Sequence, residues 1–167
     1  FPTTHRIECY GFLFEEKEGK RKLLIDRVRK LNIPVSFYTS LQYGLDYITP
    51  KGQTIRNDEV TTTPEKGKKY AFCADTRYEE SIIPYIMEAD MIYHESTYLD
   101  NVRDKAFERF HCTTKQAAEI ARKASVKKLL LGHFSSKYNS LEQFEAEAKE
   151  VFANTELAIE GNTYEIH

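Results

Sequence analysis

An α/β fold is the class this sequence predicts, and three observations carry it. From residue 69 onward, short apolar runs at 70–73, 91–94 and 129–131 alternate with longer segments of helical periodicity. Residues 7–15 add an aromatic, partly alternating strand ahead of that series. The composition, 41% hydrophobic and 30% charged, is that of a globular chain able to build a core.

Taken in order, the 7–15 strand gives way to a polar, basic stretch over residues 17–69, with turn signals at Lys51-Gly52 and Glu65-Lys66-Gly67. Inside it Leu23, Leu24, Val28 and Leu31 recur at helical spacing, while Arg27, Arg29 and Lys30 project elsewhere. Residues 46–49 and 53–56 are short strand candidates. The stretch reads as an arm or insertion that packs little of the main core. Beyond it come a buried strand at 70–73, a helix at 79–88 and a strand at 91–94. Thr113 or Thr114 caps a helix with Ala117, Ala118, Ile120, Ala121 and Ala124 on its apolar face. Lys127-Lys128 leads into a strand at 129–131 that ends at Gly132-His133. An amphipathic helix follows at 141–152, with Leu141, Phe144, Ala148 and Val151 or Phe152 on one side. Residues 156–159 and 163–166 predict a closing hairpin around Glu160-Gly161-Asn162.

A length of 167 residues suits one domain or part of a larger one. With a net charge of -2, any surface for nucleic acid must be local. Cys9, Cys73 and Cys112 lack CxxC spacing and read as reduced thiols of a cytosolic protein. No apolar run approaches the ~20 residues of a membrane span, and no signal peptide is expected. The chain opens on Phe1-Pro2 and enters strand-like sequence at once, as expected of a fragment or a processed chain.

The chemistry lies in dispersed residues. His5, Asp75, His111 and His133 each sit in a short polar cluster at the edge of an apolar run. Histidines and a carboxylate are good ligands for a divalent metal, but no His-x-His-x-Asp-His segment completes a binuclear set. Asp75, after a strand, can bridge two cations with its two oxygens or can cap the 79–88 helix. His133 ends the most apolar strand, as a ligand or as a loop histidine, and Ser135 and Lys137 just after it could hold a phosphate. His5 alone is an ordinary near-terminal histidine. His111 can act as a general acid if a carboxylate orients it, and Glu95 is the candidate, the alternative being a surface Glu. His94 reads as a strand-end side chain and His167 as a tail. Lys17, Lys20, Arg21, Lys22, Arg27, Arg29 and Lys30 form a basic tract, either a solvated face or a phosphate-contacting one.

In their joint order these motifs resemble the C-terminal part of the ribonuclease Z family, tRNA 3′-processing endonucleases of the metallo-β-lactamase superfamily. The likeness runs through Pro2-x-x-His5-Arg6-x-x-x-x-Gly11-Phe12, Phe72-Cys73-Ala74-Asp75-Thr76 and His94-Glu95-Ser96-Thr97-Tyr98. It continues in His111-x-Thr113-Thr114-x-Gln116-Ala117-Ala118 and Gly132-His133-Phe134-Ser135-Ser136-Lys137-Tyr138. The resemblance implies the C-terminal half of an αββα sandwich, formed by residues 1–15 and 67–167, with a flexible tRNA-binding arm inserted at 16–66. It implies His5 and His133 as ligands of separate zinc ions, Asp75 as their bridge, and His111 with Glu95 as proton donor to the leaving 3′ oxygen. Ser135 and Lys137 would meet the scissile phosphate, and Lys20, Arg21, Lys22, Arg27, Arg29 and Lys30 would grip tRNA. The implied cofactor is zinc, two ions in the complete enzyme, with manganese or iron also suited to such ligands. Precursor tRNA, an N-terminal half carrying the missing ligands, and a second copy in a cytoplasmic homodimer are the implied partners.

Three departures from the family pattern stand out. The His-x-His-x-Asp-His segment has no match here. Lys137 stands where the family usually has Arg, keeping charge but losing the bidentate fork. The arm's usual Gly-Pro turn is Pro34-Val35-Ser36. The chain alone is therefore expected to be inactive. The competing readings are another hydrolase of the same superfamily, against which the basic arm argues, and a non-catalytic tRNA-binding fragment.

Overall fold

The computed structural model describes residues 1–166. Phe1–Glu15 and the chain from Lys68 onward form one compact unit, and Glu16–Gly67 forms another.

In the first unit β1 (Pro2–Thr3) and β2 (Cys9–Tyr10) pair antiparallel, and β3 (Phe12–Glu15) follows directly. The single strand predicted over 7–15 is therefore two strands in two sheets, with Ile7 exposed ahead of them. The break falls at Gly11, whose N–H donates to the Phe1 carbonyl at 2.8 Å. A Cβ there would sit 2.3 Å from the Phe1 ring, so the chain changes sheets where no side chain stands.

The Glu16–Gly67 unit holds β4 (Lys22–Leu23), α1 (Ile25–Lys30), α2 (Tyr38–Gln42), β5 (Tyr47–Ile48), β6 (Thr54–Ile55), α3 (Asn57–Val60) and β7 (Thr61–Thr62). β4 pairs with β7, and β5 with β6 across a turn that Gly52 makes at φ 80°. Val28, Ile33, Leu41, Ile55 and Val60 are buried together as a core of its own. The buried Asn57 amide donates to the carbonyls of Leu41 at 2.7 Å and Leu45 at 3.0 Å, tying the α2 end to α3. The helix expected from Leu23 to Leu31 is shorter than its periodicity suggests. Leu23 is drawn into β4 by pairing with Thr61, and Leu31 is left exposed.

The remaining elements are β8 (Lys69–Cys73), α4 (Ile83–Ile86), β9 (Met91–Glu95), α5 (Arg103–Glu108), α6 (Thr114–Lys123), β10 (Leu129–Gly132), α7 (Glu142–Lys149) and β11 (Thr155–Leu157). They complete a five-stranded sheet in the order β11-β10-β9-β8-β3, in which only β3, at one edge, runs antiparallel. Strand alternation sends Ala71, Cys73, Ile92, Leu129 and Leu131 to one face, where they pack with Ile86, Ala117, Ala118, Ile120, Ala121 and Ala148 of the helices. α6 starts on a capping box in which Thr113 and Gln116 satisfy each other's backbone N–H. The opposite face carries Tyr70, Phe72, Met91, Tyr93 and Leu130, of which Met91 and Leu130 are buried, and it is exposed at its β3 edge. Phe72 stacks on Tyr93 and Phe14 on Tyr70, while Phe12 and Phe14 are 55% and 58% exposed.

Two elements differ from expectation. The 79–88 helix is a 3₁₀ turn at Glu80–Ile82 followed by the four residues of α4, because Pro84 has no N–H for a longer ladder. The hairpin at the C-terminal end does not form. β11 pairs parallel with β10, and the Tyr164 hydroxyl donates to Leu157 O at 2.7 Å and accepts from Ile159 N at 2.8 Å, closing the turn at Gly161. His167 lies outside the described residues. All three cysteines are free, and burial pushes the Cys73 thiol up to about 12. Among the described residues no helix is long and apolar enough to cross a membrane.

Gly132 lets the Tyr93 ring lie across the end of β10, with 2.2 Å from a would-be Cβ to the Tyr93 hydroxyl. Gly132→Ala is expected to destabilise the chain by about 1–3 kcal/mol through overpacking. Urea denaturation checks this, and in a Tyr93→Ala background the same change should have little further effect.

Candidate functional site

The parallel strands β8, β9 and β10 end side by side, and the loops leaving them bring the dispersed polar residues together. Crevices at the carboxyl ends of parallel strands collect functional groups because connecting loops diverge there. Asp75 follows β8, Glu95 closes β9, and His133 follows β10. His111 arrives in the segment between α5 and α6. One ligand atom from each of Asp75, Glu95, His111 and His133 lies within 4.8 Å of the others. His5 stands outside that tight group, on the loop between β1 and β2, with its ring 5.3 Å from that of His111.

Glu95 organises the cluster. Its side chain is fully buried, which removes the reading of a surface carboxylate. Oε1 accepts from Thr76 N at 2.8 Å and from His111 Nδ1 at 2.8 Å. Oε2 accepts from Thr97 Oγ1 at 2.8 Å, Cys112 N at 3.0 Å and Thr97 N at 3.4 Å. Burial pushes the Glu95 carboxyl up, but the bonds from His111, Cys112 and Thr97 outweigh it and hold the group below its ordinary value. The Glu95 bond in turn raises His111, against the effect of its own burial. With both oxygens committed, Glu95 has no lone pair well placed for a cation.

These bonds also assign the histidine tautomers. His111 Nδ1 carries a proton, because it faces a carboxylate. His5 Nδ1 donates to the Phe110 carbonyl at 3.1 Å. Thr97 spends its hydroxyl proton on Glu95, so His133 Nδ1, 2.9 Å away, must donate to Thr97 Oγ1. Each ring therefore has its Nδ1 proton fixed, which leaves Nε2 as the nitrogen available to a metal or to a second proton. Anchoring of one imidazole nitrogen on a carbonyl or hydroxyl is the arrangement that prepares the other for metal. His133 Nε2 lies 3.4 Å from Asp75 Oδ1, a nitrogen and an oxygen converging on one point. Asp75 and His133 thus offer converging donors that fit a divalent cation, His5 stands beside His111, and Glu95 and His111 form a hydrogen-bonded pair.

The backbone bends sharply here. Asp75, Phe110 and His133 have φ of 50°, 61° and 59°. Left-handed conformations in non-glycine residues carry strain, and for bulky Phe110 the conformation is unusual. Asp75 is not a helix cap, since Glu79 takes that role by accepting from Ser81 N at 3.1 Å. His94 is buried in the sheet, where desolvation lowers it.

Ser135 donates its N–H to Thr97 O at 3.1 Å, and Lys137 Nζ lies 4.4 Å from the Tyr138 ring centre and 5.2 Å from that of Tyr98. Several basic residues of the Glu16–Gly67 unit have local partners. Lys22 pairs with Glu65 at 2.9 Å, Arg21 donates to Thr61 Oγ1 at 2.8 Å and Arg27 to Glu59 O at 3.0 Å. Lys20 lies over the Tyr43 ring, and Arg29 and Lys30 are exposed on α1. Sequence reasoning missed the part played by Thr97, whose only sequence signal was its place in the run His94-Glu95-Ser96-Thr97. It also missed the backbone donors of Thr76 and Cys112, which no side-chain pattern reveals.

No family model matches the chain. Its sequence is 39% identical over 160 residues to ribonuclease Z of Parabacteroides distasonis, covering 96% of this chain and 53% of that protein. Identity to ribonuclease Z of Porphyromonas gingivalis is 43% over 159 residues, covering 95% and 52%. The chain thus spans about half the length of the curated relatives it matches. Among solved structures, the metallo-β-lactamase fold protein YhfI from Bacillus subtilis is similar with a TM-score of 0.55 at 24% identity, over 72% of this chain and 48% of that one. That is a likeness of fold.

Removing the Glu95 carboxylate leaves Thr76 N, Cys112 N and His111 without their acceptor, so Glu95→Ala should cost about 3–5 kcal/mol in urea denaturation. The sign with pH follows from the shifts. Glu95, lowered from 4.5, stabilises the fold above its unfolded value and loses this as pH falls through its folded value. His111, raised from 6.5, stabilises below its unfolded value and loses this as pH rises through its folded value. The pair therefore contributes most between about 4.5 and 6.5, and the stability difference between the native chain and Glu95→Gln should peak in that window.

Proposed function

The chain belongs to the ribonuclease Z family, corresponding to a C-terminal portion of its members, and from this we propose that it forms part of a metal-dependent endonuclease acting on precursor tRNA. The reaction is hydrolytic removal of the 3′ trailer. One observation carries the reading: a proton-bearing His111, held by a buried Glu95, stands beside the converging Asp75 and His133.

Asp75, His133 and His5 would hold the metal, with the Asp75 carboxylate suited to bridging two ions. Zinc matches this donor set, as do manganese and iron. When bound, such a cation supplies Lewis-acid polarisation of a phosphate and a water that is acidic at neutral pH. The chain's own residues manage the leaving group. Glu95 keeps the Nδ1–H of His111 in place, so the second proton of the imidazolium sits on Nε2 and is delivered to the departing 3′ oxygen. Lys137 and Ser135 steady the phosphate, Lys137 from its perch over Tyr98 and Tyr138. The products are a tRNA with a 3′-hydroxyl and a trailer with a 5′-phosphate.

The Glu16–Gly67 unit, with a core separate from that of the sheet, is assigned to tRNA contact through Lys20, Arg29 and Lys30, with smaller shares for Arg21, Lys22 and Arg27. The missing ligands would come from the N-terminal half of the family's members. The exposed aromatic rings of Phe12 and Phe14 at the β3 edge support such a partner, since clustered exposed apolar surface marks an interface. A homodimer belongs to the same proposal and is read by sedimentation of the joined halves. The free thiols suit a cytoplasmic setting.

Metal analysis and a cleavage assay on 3′-extended tRNA test the reading. The 167-residue chain alone should hold metal weakly and cut nothing. Joined to the N-terminal half of a relative, it should hold two ions and release the trailer, and His111→Ala should slow cleavage by about 10²–10⁴-fold. Two tight ions and normal turnover in the chain alone, or no cleavage by the joined halves, would sink it.

A further inference from the structure

Beside the cluster lies a cavity of about 420 Å³ lined by Arg6, Tyr98, Glu108, Arg109 and His111. None of the metal-ligand candidates lines it. His133 lines a different cavity with Tyr93, Phe134 and Leu141. Arg6 follows His5 directly, and Arg109 follows α5 just before the left-handed turn at Phe110. That turn is held by Arg77, whose guanidinium lies 4.9 Å from the Phe107 ring centre and 5.4 Å from that of Phe110.

The chemistry of the cavity is lopsided. Both arginines are exposed, and neither has an ion-pair partner among the salt bridges of the described residues. Lys105 and Lys137 place their ammonium groups 5.7 and 5.2 Å from the ring centre of Tyr98, which forms the cavity wall. In the lining itself two guanidinium groups stand against one carboxylate, Glu108. Arg6, Arg109 and His111 line the cavity together, so an anion held there meets all three. Guanidinium forks match the geometry of phosphate oxygens, which points to a phosphate.

We propose that Arg6 and Arg109 form a subsite for the RNA phosphate on the 5′ side of the nucleotide whose 3′ oxygen leaves. This rests on the reading of His111 as proton donor to that oxygen. The scissile phosphate lies at Asp75 and His133, and the cavity that opens on His111 is then next along the strand on the leaving side. Arg6 and Arg109 are positioning residues: they grip the retained RNA and set the leaving oxygen against His111, without touching the reacting atoms.

A double-mutant cycle between protein and RNA tests the subsite, using the complete enzyme and the uncleavable tRNA product that ends at the cleavage site. One arm carries Arg6→Gln or Arg109→Gln. The other replaces the last internucleotide phosphate of the RNA with a neutral methylphosphonate. Each change alone should weaken binding about tenfold, and the two together should weaken it no further. The slope of log affinity against log salt should fall by about 0.7 for the lost contact. Glu108→Gln should tighten binding, and Arg109→Lys should recover part of the loss. Multiplying costs, or arginine variants that bind as the native enzyme does, would overturn the subsite. Because binding is read and not turnover, the two readings separate. A closed cycle in an enzyme that cuts no precursor keeps the subsite and overturns the activity. Normal cleavage with multiplying costs does the reverse.

Discussion

The buried carboxylate of Glu95 is the constraint on which the rest of the site depends. A charge taken fully out of water is tolerable only when its lone pairs are filled, and here five donor contacts from Thr76, Thr97, His111 and Cys112 fill them. Those donors come from the loop after β8, the end of β9 and the approach to α6. One side chain thus fixes how three segments meet. It also settles where protons sit: directly on His111, and through the Thr97 hydroxyl on His133. Fold stability and site chemistry are here a single network, so a change that loosens one loosens the other.

The fold serves this arrangement simply. Parallel strands with helices packed on one face leave their carboxyl ends free to carry loops, and the small residues of α6, Ala117, Ala118 and Ala121, let that helix lie close on the sheet. The other face is exposed at its β3 edge, at Phe12 and Phe14.

Much of this was legible in the sequence. The strands at residues 70–73, 91–94 and 129–131 stand out because buried parallel strands are continuous apolar runs, and the alanine periodicity of α6 is equally plain. Glu95 is the candidate carboxylate for His111 in the sequence, and the geometry sets them 2.8 Å apart. What could not be read has a common cause. The split at Gly11 depends on where Phe1 lies, and the parallel pairing of β11 on competition between a local hairpin and a distant strand. The bonds from Thr76 N and Cys112 N to Glu95 come from the backbone, and the convergence of Arg6 with Arg109 is a product of tertiary structure.

The most direct measurement of the central claim is the tautomeric state of the histidines, read from two-bond nitrogen–proton correlations of the labelled chain at neutral pH. If Glu95 organises the site as described, His5 and His133 carry their proton on Nδ1 with Nε2 bare, and His111 keeps Nδ1–H at every pH at which the chain is folded. Substituting Glu95 by Gln should loosen that preference at His111 and His133 but leave it at His5, whose partner is the Phe110 carbonyl. Protons on Nε2 in neutral His5 and His133, or a pattern indifferent to Glu95, would contradict it.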